Sequence, residues 1–164
     1  MSTVSLLRID DRLIHGQVMT GWVKHINATK IIIIDDELVH DDFMISVLEM
    51  AVPNHMTLNI FNVAQAIDVL SNIKDDGEDD KIIILVKSPI PVLALLQGGV
   101  NFEELIVGGM GVNEKRSRLY RNLAASDVER AAFREIDQLG VPINIKVLPS
   151  DAPMELIPYL YVRS

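Results

Sequence analysis

Short runs of isoleucine, leucine and valine alternate along the chain with longer segments whose apolar residues recur every three or four positions. The runs predict strands, and the recurring positions predict helices. The predicted strands lie at residues 3–9, 29–35, 56–61, 81–87, 104–109 and 143–148. The predicted helix faces consist of Val18, Trp22 and Ile26; of Phe43, Met44, Val47, Leu48 and Ala51; of Val63, Ala66, Ile67 and Leu70; and of Val128, Ala132, Ile136 and Leu139.

Capping signals mark several helix ends. Ser126 and Glu129 have the spacing of a capping box, and Gly140 follows the last periodic residue of the same segment. Ser88 followed by Pro89 is typical of a helix start. The sequence therefore predicts one helix after residue 126 and another after residue 88.

Alternation of strands and helices, with strands that are apolar throughout, indicates a parallel sheet covered on both faces. The 164 residues suit one domain, and no repeat or linker interrupts them. We expect a single α/β domain over residues 1–164, with a mainly parallel, twisted sheet of six or seven strands and helices on both faces.

Composition narrows the function. The chain is 49% hydrophobic but only 5% aromatic, so its core must be aliphatic. Its net charge of -8 argues against a nucleic-acid partner. It has no cysteine, which excludes thiol nucleophiles and thiolate metal sites and suits a reducing cytoplasm. No apolar stretch is long enough for a membrane span and no secretion signal is evident, so we expect a cytoplasmic protein.

Polar residues collect where the predicted strands end. Ligands of parallel sheets bind beyond the carboxyl ends of the strands, near the point where strand order reverses. The segment RIDDRLIHGQV (8–18), after the first strand, holds the richest cluster. The other candidates are Asp35 and Asp36 after the second strand, Lys87 and Ser88 after the fourth, and GGMGVNEKRSR (108–118) after the fifth.

The first cluster has the parts of a phosphoryl-accepting histidine. His15 precedes a predicted helix whose first N–H groups attract anions, and Gly16 leaves room for an anion to approach. Arg12 offers a guanidinium suited to phosphate oxygens. Asp10 or Asp11 can accept one ring N–H of His15, leaving the other nitrogen to attack.

These residues also have a plainer interpretation. Asp10 and Asp11 would then cap the helix or pair with neighbouring arginines, and His15 would be an ordinary surface residue. Ser88 likewise suits a helix cap, and Lys87 a charge at the rim. The remaining histidines, His25, His40 and His55, lack comparable neighbours. Spacing alone leaves the role of His15 open.

A resemblance to a known family favours the first interpretation. RIDDRLIHGQVMTGWVK (8–24) resembles the signature of the IIB components of the mannose/fructose/sorbose family of the sugar phosphotransferase system. The likeness continues through IIIIDDELVHDDF (31–43), VKSPIPVLAL (86–95) and LIVGGMG (105–111), and covers essentially the whole chain. It implies a protein-N(π)-phosphohistidine–sugar phosphotransferase in which His15 is phosphorylated on Nδ1.

The resemblance also implies partners. A histidine of the IIA component would give the phosphoryl group, and a sugar entering through the membrane components IIC and IID would receive it. We expect a cytoplasmic protein peripherally associated with that transporter, with no cofactor and no metal; a homodimer and the identity of the sugar (mannose, fructose, sorbose or an amino sugar) stay open. From their positions after the strands, we expect Asp10 and Arg12 to act with His15, with Asp35 rather than Asp36 touching the His15 loop. The supporting residues are Asp11, Gly16, Gln17, Asp35 and Lys87.

The segment NEKRSRLYR (113–121), here called the basic segment, concentrates positive charge in an acidic chain. One interpretation is a solvated connection. The other is that Lys115, Arg116 and Arg118 form a docking rim that attracts acidic partner surfaces. Spacing does not decide between them.

Three rival functions are weaker. A receiver-type signalling domain needs an acceptor aspartate after its third strand, where this chain has Phe61 and Asn62. A nucleotide-binding module would have to rely on GGMG (108–111) without the G-x-G-x-x-G pattern. A purely structural subunit is the third alternative.

Overall fold

The computed structural model describes residues 1–16 and 18–161, so Gln17 lies outside the described residues. A seven-stranded sheet runs through its centre in the order β3-β2-β4-β1-β5-β8-β9, and β6 and β7 form a separate antiparallel pair. The strands are β1 (Thr3–Asp10), β2 (Lys30–Ile34), β3 (Thr57–Phe61), β4 (Lys81–Val86), β5 (Leu105–Gly109), β6 (Ser117–Tyr120), β7 (Leu123–Ala125), β8 (Ile143–Ile145) and β9 (Met154–Glu155).

All neighbouring strands of the large sheet are parallel except β8 and β9. The helices are α1 (Val23–Ile26), which directly follows a π-helical turn (Val18–Trp22), α2 (Asp42–Ala51), α3 (Val63–Ser71), α4 (Pro89–Gln97), α5 (Asp127–Gln138) and α6 (Ile157–Leu160). Short 3-10 turns lie at Leu38–His40 and Ile73–Asp75. The expected α/β class with a mainly parallel sheet is confirmed.

Two apolar layers hold the sheet between its helices. Alternate residues of each central strand point to opposite faces, so one strand supplies both layers. One layer joins the sheet to residues of α3, α4 and α5, including Ala66, Val92 and Phe133. The other joins it to the segment after β1 and to α2, including Val18 and Leu48.

The order of the strands reverses between β1 and β4. After β1 the chain crosses β4 to reach β2, whereas after β4 it crosses β1 to reach β5. The two connections therefore leave in opposite directions, and the carboxyl ends of strands at such a point are where parallel sheets bind their ligands. Residues 10–16 and residues 87–88 both lie at this edge, as the strand pattern predicts.

The predicted capping residues are confirmed. The Ser126 hydroxyl accepts a hydrogen bond from Glu129 N, and the Glu129 carboxylate accepts one from Ser126 N. The Ser88 hydroxyl accepts a hydrogen bond from Ile90 N at the start of α4. Ser88 is therefore a helix cap, which is the plainer of the two interpretations of this residue.

Two predicted helix faces need correction. On α2 only Leu48 of the predicted face is buried, whereas Phe43 is 76% exposed, because a helix that leads to the edge strand β3 has little core to cover. On α5 the buried face is centred on Ala132, Phe133 and Ile136, and both Val128 and Leu139 are exposed. The helix is rotated relative to the prediction because Phe133 provides the larger apolar surface.

The connections after β5 and β8 also differ from expectation. The basic segment contributes β6 and half of a hairpin instead of an irregular connection. The strand predicted at 143–148 ends at Ile145, and the chain then turns back towards the short β9. No hydrophobic alternation marks these short strands, so the sequence pattern did not reveal them.

Candidate functional site

A tight turn at the end of β1 carries His15. Leu13 N donates to the Asp10 carbonyl at 2.9 Å, and Leu13 has a positive φ of 58°, an uncommon backbone conformation for a residue other than glycine. The Leu13 and Ile14 side chains are buried in the apolar layer below. These two buried side chains anchor the turn between Arg12 and His15, and the His15 side chain remains 15% exposed.

Asp10 binds His15 directly. His15 Nε2 lies 2.7 Å from Asp10 Oδ2, and the Asp10 side chain is fully buried. A carboxylate only accepts hydrogen bonds, so a neutral imidazole paired with an ionised Asp10 carries its ring proton on Nε2 and its lone pair on Nδ1. Of the two aspartates that the sequence left open, Asp10 is the one that contacts the imidazole.

Three further donors surround the same carboxylate. Asp10 Oδ2 lies 3.3 Å from Arg8 Nη2, and Oδ1 accepts from Arg12 N at 3.1 Å and Arg12 Nε at 3.4 Å. Arg12 is 57% exposed and its guanidinium reaches solvent beside His15. The arrangement pairs a buried carboxylate with one buried and one exposed guanidinium.

The sequence analysis missed Arg8 as a site residue. Arg8 is fully buried, and its guanidinium lies 5.5 Å from the centre of the Trp22 ring. Burial lowers the pKa of Arg8, although the neighbouring Asp10 acts in the opposite direction. The available signal was an arginine inside an otherwise apolar predicted strand, at an inward position two residues before Asp10.

Asp11 belongs to a second cluster. Its Oδ2 accepts from Gly111 N at 2.7 Å and from Arg116 Nη1 at 3.1 Å. Arg116 also forms a bidentate pair with Glu129, with distances of 2.9 and 2.8 Å, and donates to the Lys87 carbonyl. This single guanidinium joins the loops that follow β1, β4 and β5 to the start of α5.

These contacts correct the expectation that Arg116 is an exposed docking residue. Its side chain is only 10% exposed. The hydrogen bond from Glu129 raises the pKa of Arg116; for Glu129, burial raises the pKa, but the Arg116 guanidinium and the Ser126 backbone outweigh it and lower the pKa overall. Lys115 and Arg118 are exposed, as a docking rim requires.

Asp35 and Lys87 contact each other at the ends of β2 and β4. Asp35 Oδ1 accepts hydrogen bonds from Glu37 N and Leu38 N, so this aspartate organises the turn after β2. Lys87 Nζ lies 3.6 Å from Asp35 Oδ2. Among residues 1–16 and 18–161, the polar contacts of Asp35 do not reach the turn at 10–16, in contrast to expectation.

Gly16 has open space around it. No atom lies within 4 Å of the position that a Cβ would occupy there. The helical segment that follows is brief, with five π-helical and four α-helical residues. In the described part of the chain, no group of three or more His, Asp or Glu residues is arranged to hold a metal ion.

Comparison with known proteins shows the family. Residues 4–163 match the family model described as the PTS system sorbose subfamily IIB component. The chain belongs to this family. A member of it is a phosphotransferase that carries a phosphoryl group during sugar uptake, and this IIB component is such a carrier.

Individual relatives agree over nearly the whole length. The IIB component is 38% identical to the sorbose-specific EIIB component of Lacticaseibacillus casei, over 94% of this chain and 93% of that protein. The crystal structure of the IIBSor domain of the Klebsiella pneumoniae sorbose permease has 34% identity and a TM-score of 0.88, with 96% of each chain covered. The mannose-specific EIIAB component of Escherichia coli K12 is 30% identical, over 94% of this chain and 47% of that protein.

No helix in the described residues has the length and apolar character needed to cross a membrane.

Proposed function

We propose that this IIB component carries the phosphoryl group on Nδ1 of His15. The observation that supports this is the contact between His15 Nε2 and the buried Asp10 carboxylate, at 2.7 Å. It leaves Nδ1 as the ring nitrogen with the lone pair. His15 is also partly exposed, so a phosphorylated partner can reach it.

The first step forms a bond between Nδ1 and phosphorus while the nitrogen–phosphorus bond of the donor's phosphohistidine breaks and its electron pair returns to the donor. The His15 ring keeps its Nε2 proton and becomes cationic, which the Asp10 carboxylate stabilises. Arg12 binds the oxygens of the transferring group. Catalysis is then largely positioning and electrostatic stabilisation.

The second step reverses this chemistry towards a sugar hydroxyl. An oxygen–phosphorus bond forms, the hydroxyl releases its proton to solvent water, and the electron pair of the Nδ1–phosphorus bond returns to the ring. In this proposal the donor is a IIA component, and the acceptor is a hexose held by membrane components IIC and IID, on which the IIB component docks peripherally at the cytoplasmic face. The mannose-specific relative, named EIIAB, supports the pairing with IIA.

The test uses a IIA component that carries a radiolabelled phosphoryl group. The native chain is expected to gain acid-labile, base-stable label, and His15→Ala to gain none. His55→Ala is the matched control, because His55 is also exposed but lies before β3, at the opposite edge of the sheet. Correlation of phosphorus with ring nitrogens by NMR identifies the bonded atom. Label on His15→Ala, or a phosphorus bond to Nε2, would contradict the proposal.

A further inference from the structure

Arg8 lies beneath the site, out of reach of any phosphate. Its side chain is fully buried at an inward position of β1, in the same layer as Leu6. Nη1 donates to the Lys146 carbonyl at 2.7 Å, and Nη2 lies 3.3 Å from Asp10 Oδ2. Because Arg8 has no exposed surface, it acts through Asp10 and not on the substrate.

The fold provides a dedicated slot for this guanidinium. The Trp22 ring covers it, and Trp22 itself is fixed by a hydrogen bond from Nε1 to the Val147 carbonyl at 2.9 Å. On the other side lies Gly108, where a Cβ would collide with the guanidinium. The slot fixes the cation next to the carboxylate.

Placing a cation in this slot is energetically unfavourable. Burial of a guanidinium carries a large desolvation penalty, and Arg8 Nε has no hydrogen-bond partner within the described residues. A methionine would fill similar space without these costs. The positive charge of Arg8 has a role here because it faces the buried Asp10 carboxylate, which a methionine could not stabilise.

We propose that Arg8 is a positioning residue that keeps Asp10 ionised, so that Asp10 only accepts a hydrogen bond and holds His15 as its Nε2–H tautomer. This inference rests on the proposed phosphorylation of Nδ1. A buried carboxyl that loses its counter-charge takes up a proton from solvent. A protonated Asp10 donates to Nε2, the ring proton then resides on Nδ1, and the nucleophilic lone pair is lost.

The surroundings of Asp10 single out Arg8 as the decisive charge. The charged and titratable groups facing it are Arg8, Arg12 and His15, and β5 presents only the backbone of Gly109. Lys146 is more remote, with its Nζ near the Trp22 ring. Arg12 is 57% exposed, so water screens its charge, whereas the charge of Arg8 is unscreened.

The test measures nitrogen-15 shifts of the His15 ring in unphosphorylated protein at about pH 8, where an ordinary imidazole is neutral. The native chain is expected to show the Nε2–H tautomer. Arg8→Met is expected to shift the ring towards Nδ1–H and to slow phosphoryl transfer from IIA by about 10²-fold or more. Arg8→Lys keeps the charge and is expected to restore much of both properties.

Two further measurements separate this role from a structural one. Transfer by Arg8→Met is expected to recover as pH is raised, because hydroxide removes the proton from Asp10, whereas native transfer stays level. Arg8→Met added to Asp10→Asn is expected to cost little more than Asp10→Asn alone. If Arg8→Met does not fold, Arg8→Gln, which also removes the charge but keeps polar hydrogen-bonding groups, takes its place in the same double-mutant cycle.

Arg134→Met is the matched control. Arg134 also donates to a carbonyl, that of Leu160, and lies over an aromatic ring, that of Tyr161, but it is on α5. It is expected to leave the His15 tautomer unchanged. A native tautomer, a level pH profile and additive effects in the charge-removing Arg8→Met variant would overturn the inference. An unlabelled native His15 would instead overturn the proposed function, because the tautomer is measured without any donor.

Discussion

A Cβ placed on Gly109 would lie 3.0 Å from Oδ1 of Asp10. The end of β5 thus approaches the end of β1 so closely that any side chain at residue 109 would move the carboxylate that holds His15. The position of the Asp10 carboxylate therefore depends on the absence of a side chain at Gly109 as well as on the charged residues around it.

Gly109→Ala is accordingly expected to slow phosphoryl acceptance by about tenfold or more, because small displacements of a positioning group are costly. Single-turnover labelling by phosphorylated IIA measures this rate. Gly111→Ala is the matched control, since its Cβ would lie 3.5 Å from Asp11 Oδ2, an ordinary contact, and its N–H remains available. Equal rates for Gly109→Ala and the native chain would show that Asp10 tolerates displacement.

Arg12→Lys tests the exposed guanidinium. Lysine keeps the charge but loses the planar pair of donors, so transfer is expected to slow by about tenfold while stability changes little. Single-turnover rates and thermal denaturation measure the two effects. Arg118→Lys, an equally conservative change at an exposed arginine, serves as the control. An unaltered rate would reduce Arg12 to an ion-pair partner of Asp10.

Much of this site follows from sequence, for a physical reason. Parallel strands place their carboxyl ends at one edge, so the order of residues along the chain is enough to bring Asp10, His15 and Lys87 to the same side of the sheet. The apolar runs that define those strands are long and distinctive. Their boundaries differ from the structure by only a residue or so for the five strands from β1 to β5.

The pattern of apolar and polar residues does not predict side-chain contacts between segments that are distant in the sequence. Nothing local to Arg116 indicates that its partners are Asp11 and Glu129, which lie 105 and 13 residues away. Apolar periodicity also misplaced Phe43, because a helix face at the edge of a sheet can be apolar and still exposed. The periodicity of apolar residues shows that a helix has an apolar face, whereas the burial of that face depends on which part of the protein packs against it.

The Arg116–Glu129 pair makes stability depend on pH. The pKa of Glu129 is lowered from its ordinary value of 4.5 in the folded state, so its contribution is present above that value and is lost as pH falls through the folded pKa. We expect the free energy of unfolding of the native chain to exceed that of Glu129→Gln by a constant amount above about pH 5.5.

That difference is expected to shrink below 4.5, where the unfolded state already binds the proton. Denaturant unfolding at several pH values measures it. Glutamine is the informative replacement because its amide oxygen can keep the capping-box hydrogen bond of α5, while the charge and one of the two acceptors of Arg116 are removed. A difference that persists unchanged well below 4.5 would show that charge is not what Glu129 contributes.

We expect Arg116 to stabilise the fold and its exposed neighbours, Lys115 and Arg118, to act only in docking. Arg116→Gln leaves Glu129 buried without its partner and is expected to lower the free energy of unfolding by about 2–4 kcal/mol. Lys115 and Arg118 are exposed, so replacing both by Gln is expected to leave stability unchanged within about 0.5 kcal/mol. Denaturant unfolding distinguishes the two cases.

The double variant, in which Lys115 and Arg118 are both replaced by Gln, then tests docking without loss of structure. Exposed positive charges act chiefly on the association rate with an acidic partner, and salt screens them. The second-order rate of phosphoryl transfer from IIA is therefore expected to fall several-fold in about 20 mM salt and to approach the native rate in about 500 mM salt. Lys24→Gln, at an exposed lysine of α1, controls for the loss of any single surface charge. If the low-salt rate of the double variant equals the native rate, the basic segment is a solvated hairpin and partners dock elsewhere.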